Sequence, residues 1–454
     1  MKKIYLFRII SGVVLLTFLI TSCHKDTRVT PTTSANTRSF SSVQLQNYFS
    51  MMCTISKGTG GFFPPQVARA YGYVGIAAYE SVVHGIPGAM SLYGQVNWLT
   101  KLPQPDATLQ YNWAISSNTA VAEMMKNMFL ASKISATNSN AIDSTENANL
   151  TTLSAGVSQD VVTRSVQFGK DVTAAIYQAS LTDGGNQSYI DPFQLPYTPP
   201  TDASNWIPTS ATTTPISPYW GNNRPFIAAN VGAVVPVAPT AFSTDPSSDF
   251  YKAAMVVYNQ VKNNTADQVA ITKFWADDPF NTCTPAGHTF NIMIQLLKEN
   301  NATLEKASVA FAKLSIAEND AFISCWKGKY QYNMIRPVSY IKKYIDPTFA
   351  TVIGTPAFPA YTGGHSYESG AGSMIFINMF TDGSGSYSFT DYSQLQYGFA
   401  ARTYTNFNDI ANECANSRLY GGIHYDADNQ EGLRLGRLVG DNVNKMIAWP
   451  INTK

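Results

Sequence analysis

The sequence is poor in charged residues, which excludes one broad class of function. Only 13% of its 454 residues are Asp, Glu, Lys or Arg, and the formal net charge is +1. A general nucleic-acid binder needs a basic surplus to displace counterions, so the chain is not expected to bind nucleic acid. Any site for an anion must therefore be local rather than a field of the whole protein.

Cysteine is also scarce, and its spacing excludes the common metal and redox motifs. None of the five cysteines forms a CxxC pair, so neither a zinc ribbon nor a thioredoxin-type site is indicated. Four of them, Cys53, Cys283, Cys325 and Cys414, lie beyond the first thirty residues. Export would permit disulfides, but buried free thiols are the expected state.

The N-terminus carries the features of an export signal. A basic start is followed by a short apolar run, residues 9–20, which is too short to span a bilayer comfortably. The tetrapeptide that ends in Cys23 resembles a bacterial lipobox, in which this cysteine is lipidated. We expect a signal peptide over 1–22, a flexible tether over 23–39, and a lipid-anchored protein on the periplasmic side or at the surface of the outer membrane.

The rest of the chain predicts a mainly helical protein. Apolar residues recur at helical spacing in stretches 43–52, 65–83, 110–132, 157–180, 248–263, 287–298 and 302–332. Few runs alternate as strands do, so the predicted fold class is all-α. Between 183 and 243 the periodicity disappears, and a loop of that length is usually functional or packed over the domain. We expect one catalytic domain over 40–454.

The residues with chemical potential lie in three separate segments. In the first, Lys329 and Arg336 are two helical turns apart, which predicts that they share one face of a helix. Pro337 disfavours helical geometry at the residue before it, so that helix should end at Arg336. Taken alone, two cations before a proline usually mark a solvated helix end.

The second segment is a glycine turn before an apolar run. Gly363 and Gly364 permit close approach of the backbone, and the run that follows predicts a helix. Free N–H groups at a helix N-terminus form a ready anion site. His365 would lie beside that anion, although a structural turn with a capping histidine would show the same pattern.

The third segment runs from Ser417 to Asp428. Arg418 offers a bidentate fork for an oxyanion, and Gly421 and Gly422 let the backbone bend. His424 and Asp428 are four residues apart, so a helical turn would bring the carboxylate to the imidazole. Such a partner fixes the tautomer and raises the basicity of a histidine that acts as ligand or nucleophile.

Together, the three segments read Lys-x6-Arg-Pro, Gly-His and Ser-Arg-x3-Gly-x-His-x3-Asp. In order and spacing they resemble the vanadium-dependent haloperoxidases and the related type-2 phosphatidic acid phosphatases. The resemblance covers residues 326–428. It implies two four-helix bundles with the site in the second.

The resemblance also implies a role for each matched residue. The oxygens of vanadate or phosphate would be held by Lys329, Arg336, Arg418 and the Gly364 amide. His424 would be the axial ligand of vanadium, or the nucleophile of a phosphatase, with Asp428 orienting it. His365 would be the general acid–base. Trp326 and Phe358 stand where the chloroperoxidase type places aromatic residues.

One position departs from the family pattern. The usual Pro-Ser-Gly-His is replaced here by residues 362–365, Thr-Gly-Gly-His, so Gly363 stands where a serine hydroxyl would donate to the oxyanion. A hydrogen bond to a charged group is worth ~1.5–3 kcal/mol. The substitution is expected to weaken vanadate binding without abolishing it.

Two activities are expected from such a site, because vanadate and the phosphoryl transition state are both oxyanions of spread charge. With vanadate as cofactor, the resemblance implies hydrogen peroxide and a halide as substrates, with Lys329 as the catalytic residue that activates the peroxide oxygen for attack by the halide. Without it, His424 would attack a phosphate ester and His365 would protonate the leaving alcohol. Two other readings are a non-catalytic surface lipoprotein that binds glycans through its aromatics, and a histidine metalloenzyme using His365, His424 and His288. His288 alone is expected to cap or pack at a helix start.

Overall fold

The structure, a computed structural model, describes residues 33–129, 133–194, 196–209 and 214–450. The predicted signal peptide, Cys23 and the first part of the tether lie outside the described residues. Within them the regular structure is helical apart from one two-stranded hairpin, which confirms the all-α prediction. No helix in these ranges combines the length and the apolarity that a bilayer span requires.

The helices in chain order are α1 (Val43–Gly58), α2 (Pro64–Glu80), α3 (Trp113–Met128), α4 (Ala136–Leu153), α5 (Gln159–Ser180), α6 (Ala229–Gly232), α7 (Asp249–Lys262), α8 (Ala266–Phe274), α9 (Thr284–Glu299), α10 (Leu304–Tyr332), α11 (Pro337–Tyr344), α12 (Gly364–Phe380), α13 (Phe407–Tyr420) and α14 (Asp426–Met446). The strands β1 (Ser386–Asp391) and β2 (Arg402–Asn406) pair antiparallel.

The helix α10 is 29 residues long. The Thr303 side chain caps its N-terminus by accepting from the Lys306 amide, and α10 packs against both α2 and α12. It ends where Asn333 takes a left-handed conformation, at a φ of 47°. Its C-terminal end delivers Lys329 to the site.

The helices α12 and α14 approach each other closely, which brings the second and third sequence segments together. A Cβ atom on Gly432 of α14 would lie 2.7 Å from the Gly363 carbonyl oxygen. Only glycine leaves room for that approach. The Gly363 amide in turn donates to the Asp428 carbonyl, at 2.9 Å. The start of α12 therefore lies directly against the start of α14.

The expectation of free thiols is wrong for two cysteines. Cys53 of α1 and Cys283, immediately before α9, form a disulfide with their Cα atoms 4.9 Å apart. The pairing spans 230 residues and depends on α1 packing beside α9, which no sequence spacing reveals. Cys325 and Cys414 are buried and free, as expected.

The irregular segment packs over the C-terminal end of α10, as its length predicts. The Ile216 carbonyl accepts hydrogen bonds from Trp326 Nε1 at 3.2 Å and from the Tyr330 hydroxyl at 2.8 Å. The Val237 carbonyl accepts from the Tyr361 hydroxyl at 2.6 Å. These contacts cover the site region from solvent.

The described end of the predicted tether contacts the helical domain. Thr37–Ser39 form a 3-10 turn with Thr37 buried, and the Arg38 guanidinium pairs with the buried Glu305 carboxylate at 2.9 Å. The last residues assigned to the tether are thus attached to α10.

Candidate active site

Lys329 is fully buried at the end of α10. Its ammonium donates to the carbonyls of Pro359 and Ala360, both at 3.0 Å, and to that of Thr362. These three bonds use all the donors of an ammonium group. In its protonated form, Lys329 therefore supplies positive charge and fixes the turn that leads into α12.

Arg336 reaches the same place by a route that differs from the predicted one. The prediction that it shares a helical face with Lys329 is wrong, because α10 ends at Tyr332 and the chain reverses through the left-handed Asn333. Arg336 is extended, as the following proline requires, and precedes α11. Its guanidinium donates to the Phe358 carbonyl through Nε and to the Ile423 carbonyl through Nη1, both at 2.8 Å.

The glycine turn begins α12 as predicted. No side chain caps its first turn, so the first N–H groups, including that of Gly364, are available to an anion. A Cβ on Gly364 would lie 3.8 Å from the Trp326 ring and 3.9 Å from Lys329 Cε. The Gly364 backbone thus lies directly over Lys329.

The missing serine has a structural explanation. A Cβ at position 363 would lie 2.9 Å from Asn429 Oδ1 and 3.1 Å from the Asp428 carbonyl oxygen. Asn429 is fully buried, and its Oδ1 accepts from the Ser366 hydroxyl at 3.2 Å. The space that a serine would need is already taken by the Asn429 amide.

His424 and Asp428 are paired, although not by the predicted helical turn. His424 precedes α14, and Asp428 lies in the first turn of that helix. The carboxylate Oδ2 lies 3.0 Å from His424 Nδ1 and also accepts from the Tyr425 amide at 3.1 Å. The other ring nitrogen of His424 lies 3.0 Å from Arg336 Nη1.

Two further predicted parts of the site are a third buried cation, Arg418, and a pair of aromatic rings. Arg418, at the end of α13, is buried and donates from Nη1 to the Trp275 carbonyl at 2.7 Å. The rings of Trp326 and Phe358 contact each other, with centroids 4.9 Å apart. Lys329 Nζ and the Arg336 guanidinium each lie 5.0 Å from the centre of the Phe358 ring.

The pKa values of Lys329 and Arg336 reflect their burial and the nearby positive charges. Burial, together with the positive charges of Arg336 and Arg418, lowers the pKa of Lys329 to about 7. Burial and Arg418 also lower the pKa of Arg336, to about 9. A buried cluster of like charges is costly by itself, so this site favours an anion.

The pKa shifts of the two histidines and of Asp428 favour neutral imidazoles. Burial, Arg336, Lys329 and Arg418 hold the pKa of His424 well below its usual value. Burial, Arg418, His288 and Lys329 do the same for His365. Burial raises the pKa of Asp428 to about 7, against the opposing effects of Lys329 and Arg336.

Comparison with known proteins identifies this arrangement. Residues 309–453 match the family model described as the VCPO second helical-bundle domain. The chain is also similar to the crystal structure of a bacterial vanadium-dependent iodoperoxidase, with 31% identity and a TM-score of 0.82 over 91% of this chain and 99% of the other. The chain belongs to the vanadium haloperoxidase superfamily.

More distant members of the superfamily share the fold. Holo and apo structures of a bacterial vanadium-dependent chloroperoxidase match at TM-scores of 0.66 and 0.65, with 14% and 12% identity. They cover 85% and 90% of this chain, and 92% and 98% of their own chains. Comparison with curated protein sequences gave no significant match.

The residues of this haloperoxidase-superfamily site fit an oxyanion such as vanadate. Among the site residues predicted from the sequence, three buried nitrogen atoms have no hydrogen-bond partner within the described part of the chain: Arg336 Nη2, Arg418 Nε and His365 Nε2. They come from the three segments that the sequence singles out. Buried polar groups without partners are rare in proteins and call for an explanation, and a tetrahedral oxyanion would accept from the two guanidinium groups.

His365 and Arg418 open onto a cavity of about 280 Å³. Its walls are largely apolar and include the rings of Phe63, Phe280 and Phe358. In this haloperoxidase fold the cavity links the buried site to the surface on the side of His365. A small substrate can reach the imidazole through it.

Sequence reasoning missed the segment just after α8. The Trp275 carbonyl holds Arg418, and the Ala276 backbone is hydrogen-bonded to the His365 ring. The expectation that His288 caps or packs at a helix start is incomplete, because its two ring nitrogens face Asp277 and Asp391. Within the described ranges, no three His, Cys, Asp or Glu side chains are grouped to hold a metal ion.

Proposed function

We propose that this protein is a vanadate-dependent haloperoxidase that oxidises iodide with hydrogen peroxide. The observation that carries the proposal is the set of three buried, unpartnered nitrogens on Arg336, Arg418 and His365 around the paired His424. Iodide is proposed because it is the most easily oxidised of the common halides. The similar solved structure at 31% identity is that of an iodoperoxidase.

The proposed cofactor site uses the chain's own charges. His424 would bind vanadium through Nε2, while its Nδ1–H donates to Asp428 and so fixes the tautomer. Arg336, Arg418 and the Gly364 amide would hold the oxygens, and Lys329 would add positive charge from beneath Gly364. Bound vanadate would supply Lewis-acid activation of hydrogen peroxide toward the halide.

His365 is the proposed general acid–base. Its lowered pKa leaves the imidazole neutral at neutral pH, and its Nε2 is buried without a partner at the end of the cavity. It would accept a proton from hydrogen peroxide at Nε2 and return it to the hydroxide that the peroxide displaces, which would leave as water. The hydrogen bond between its ring and the Ala276 backbone would keep the ring in place during this transfer.

The alternative activity is phosphate-ester hydrolysis through His424, and a third is glycan binding without catalysis. The discriminating experiment assays the purified protein with and without orthovanadate, for triiodide formation from iodide and peroxide and for hydrolysis of p-nitrophenyl phosphate. Vanadate-dependent triiodide formation that is lost in His424→Ala supports the haloperoxidase. Vanadate-free ester hydrolysis without iodide oxidation supports the phosphatase, and neither activity supports the glycan-binding protein.

His84 provides a matched control for the histidine variants. Its ring lies beside Trp113 and Phe168, on elements that do not enter the site. His84→Ala should therefore keep the wild-type activity. If His84→Ala lost activity as well, the loss of activity in His424→Ala would no longer support the haloperoxidase.

We also propose that Cys23 is lipidated and anchors the protein to a membrane. The support is the lipobox-like tetrapeptide after a short apolar run. In Cys23→Ala the protein should be released from the membrane fraction or remain unprocessed. Unchanged fractionation and maturation of the variant would contradict the anchor.

A further inference from the structure

His288 is a buried imidazole held between two carboxylates. Its Nδ1 lies 3.0 Å from Asp277 Oδ2 and 3.1 Å from Asp277 Oδ1, and its Nε2 lies 2.8 Å from Asp391 Oδ2. Gln394 lies against the same pair and donates from Nε2 to Asp277 Oδ1 at 2.9 Å. Burial lowers the pKa of His288, but the charges and hydrogen bonds of Asp277 and Asp391 outweigh it and raise the pKa to about 10. The ring is therefore a cation at neutral pH.

The carboxylate on one side of His288 belongs to the segment that holds the site. The Trp275 ring stacks on His288, with centroids 4.5 Å apart and an interplanar angle of 24°. The carbonyl of the same Trp275 accepts from Arg418, and the next residue, Ala276, is hydrogen-bonded through its backbone to His365. His288 thus contacts Trp275 and Asp277, the two residues that flank Ala276, the partner of His365.

The backbone of this segment needs such an anchor. Asp277 has a φ of 48°, a left-handed conformation that residues other than glycine adopt rarely and that surrounding contacts hold in place. The ion pair with His288 is such a contact. Farther along the loop, the disulfide between Cys283 and Cys53 fixes the end that enters α9.

We propose that His288 is a positioning residue of the haloperoxidase site. Held between Asp277 and Asp391, it fixes the Trp275 and Ala276 backbone groups that orient Arg418 and His365. The inference rests on the proposed function for the roles of those two residues. His288 acts through Arg418 and His365, because its own ring nitrogens face Asp277 and Asp391.

The first test measures oxyanion binding, which does not depend on turnover. Orthovanadate and sulfate are titrated by calorimetry into the full-length protein carrying His288→Gln or Asp391→Asn. Loss of a supporting residue behind a metal ligand set typically costs about 10- to 100-fold in affinity, and we expect a loss of that size in His288→Gln. Asp391→Asn keeps the side-chain shape and an oxygen acceptor, so it is expected to fold and to lose less.

Asp183→Asn is the matched control. Asp183 is also buried and ion-paired, with Oδ2 lying 2.7 Å from Arg69 Nε and 2.8 Å from the Tyr73 hydroxyl, but its contacts are with α2 rather than the site. The control should lose thermal stability and keep its oxyanion affinity. If His288→Gln and Asp391→Asn also bind oxyanions as tightly as wild type, His288 has no positioning role. If wild type binds neither anion, the proposed function fails first.

The second test reads the His365 ring itself, and it separates positioning from general loss of structure. The His365 ring is hydrogen-bonded to the Ala276 backbone, while its Nε2 has no partner among the described residues, so the neutral ring carries its proton on Nδ1. If His288 holds Ala276 in place, His288→Gln weakens this bond and His365 becomes a mixture of the two tautomers. Because the chain has five histidines, 15N NMR can follow the His365 ring directly. A mixture of tautomers in His288→Gln but not in Asp183→Asn supports the proposal, and an unchanged Nδ1–H tautomer in His288→Gln contradicts it.

Discussion

Arg336 Nη1 lies 3.0 Å from Nε2 of His424, the nitrogen proposed to bind vanadium. Since Asp428 faces Nδ1, Nε2 carries the lone pair and accepts from the guanidinium. Binding of vanadate would require Arg336 to exchange this nitrogen for an oxygen of the anion. Its Nη2, which has no partner among the described residues, is available for the same anion.

The first prediction concerns Gly363 and Asn429. Gly363→Ser alone should destabilise the protein and fail to strengthen oxyanion binding, because its Cβ would lie 2.9 Å from Asn429 Oδ1. The double variant Gly363→Ser, Asn429→Ala opens the space for a hydroxyl. It should bind orthovanadate about 10- to 100-fold more tightly than Asn429→Ala, since a hydrogen bond to a charged group is worth ~1.5–3 kcal/mol.

Calorimetric titration of the three variants and wild type measures this. Asn429→Ala is the control, because it lacks the steric conflict and the hydroxyl. Equal affinities of the double variant and Asn429→Ala would mean that a hydroxyl at position 363 does not reach the anion.

The second prediction concerns Arg418. Arg418→Ala should weaken orthovanadate and sulfate binding by about 10- to 100-fold, because a charge-assisted hydrogen bond is lost. Arg418→Lys should restore only part of the affinity, since a point charge cannot form a fork. Arg434→Ala is the control, because Arg434 is largely exposed and pairs with Glu431. Unchanged affinity in both Arg418 variants would exclude this residue from the site.

The third prediction is that oxyanion binding takes up a proton. Burial lowers the pKa of Lys329 to about 7, so at pH 8 much of its ammonium is deprotonated in the free protein. A bound anion favours the charged form and raises this pKa. Sulfate is the suitable ligand because it does not titrate near pH 8.

Calorimetry of sulfate binding in buffers of different ionisation enthalpy measures the uptake. Lys329→Arg should bind sulfate without that uptake, since a guanidinium stays protonated. A binding heat that does not depend on the buffer in wild type, or proton release, would contradict the assignment of the shifted group.

Much of the site could be predicted from sequence because its residues lie in short segments of fixed spacing. The pairing of His424 with Asp428 is found, although the geometry is that of a helix start rather than a helical turn. The shared helical face of Lys329 and Arg336 is not found, because the left-handed Asn333 ends α10 early. Periodicity cannot detect that reversal.

The sequence does not predict the helix α4, because only Ile142 among its residues is buried and the helix carries no apolar stripe.

Other features of the site depend on contacts between residues that are distant in sequence. The Trp275 carbonyl accepts a hydrogen bond from Arg418, and the Ala276 backbone is hydrogen-bonded to His365. The two residues of each pair are far apart in the sequence. The exclusion of a serine at Gly363 depends on Asn429 across the α12–α14 contact.

The fourth prediction separates the two histidines and tests the central claim most directly. Purified His424→Ala, His365→Ala, Asp428→Asn and the His84→Ala control are titrated with orthovanadate, and the retained vanadium is measured after gel filtration. His424→Ala should retain none, because the ligand nitrogen is gone. His365→Ala should retain it but lose iodide oxidation, Asp428→Asn should fall between them, and His84→Ala should match wild type. Retention by His424→Ala together with loss in His365→Ala would reverse the proposed roles, and equal retention in all variants would contradict the proposed vanadate site.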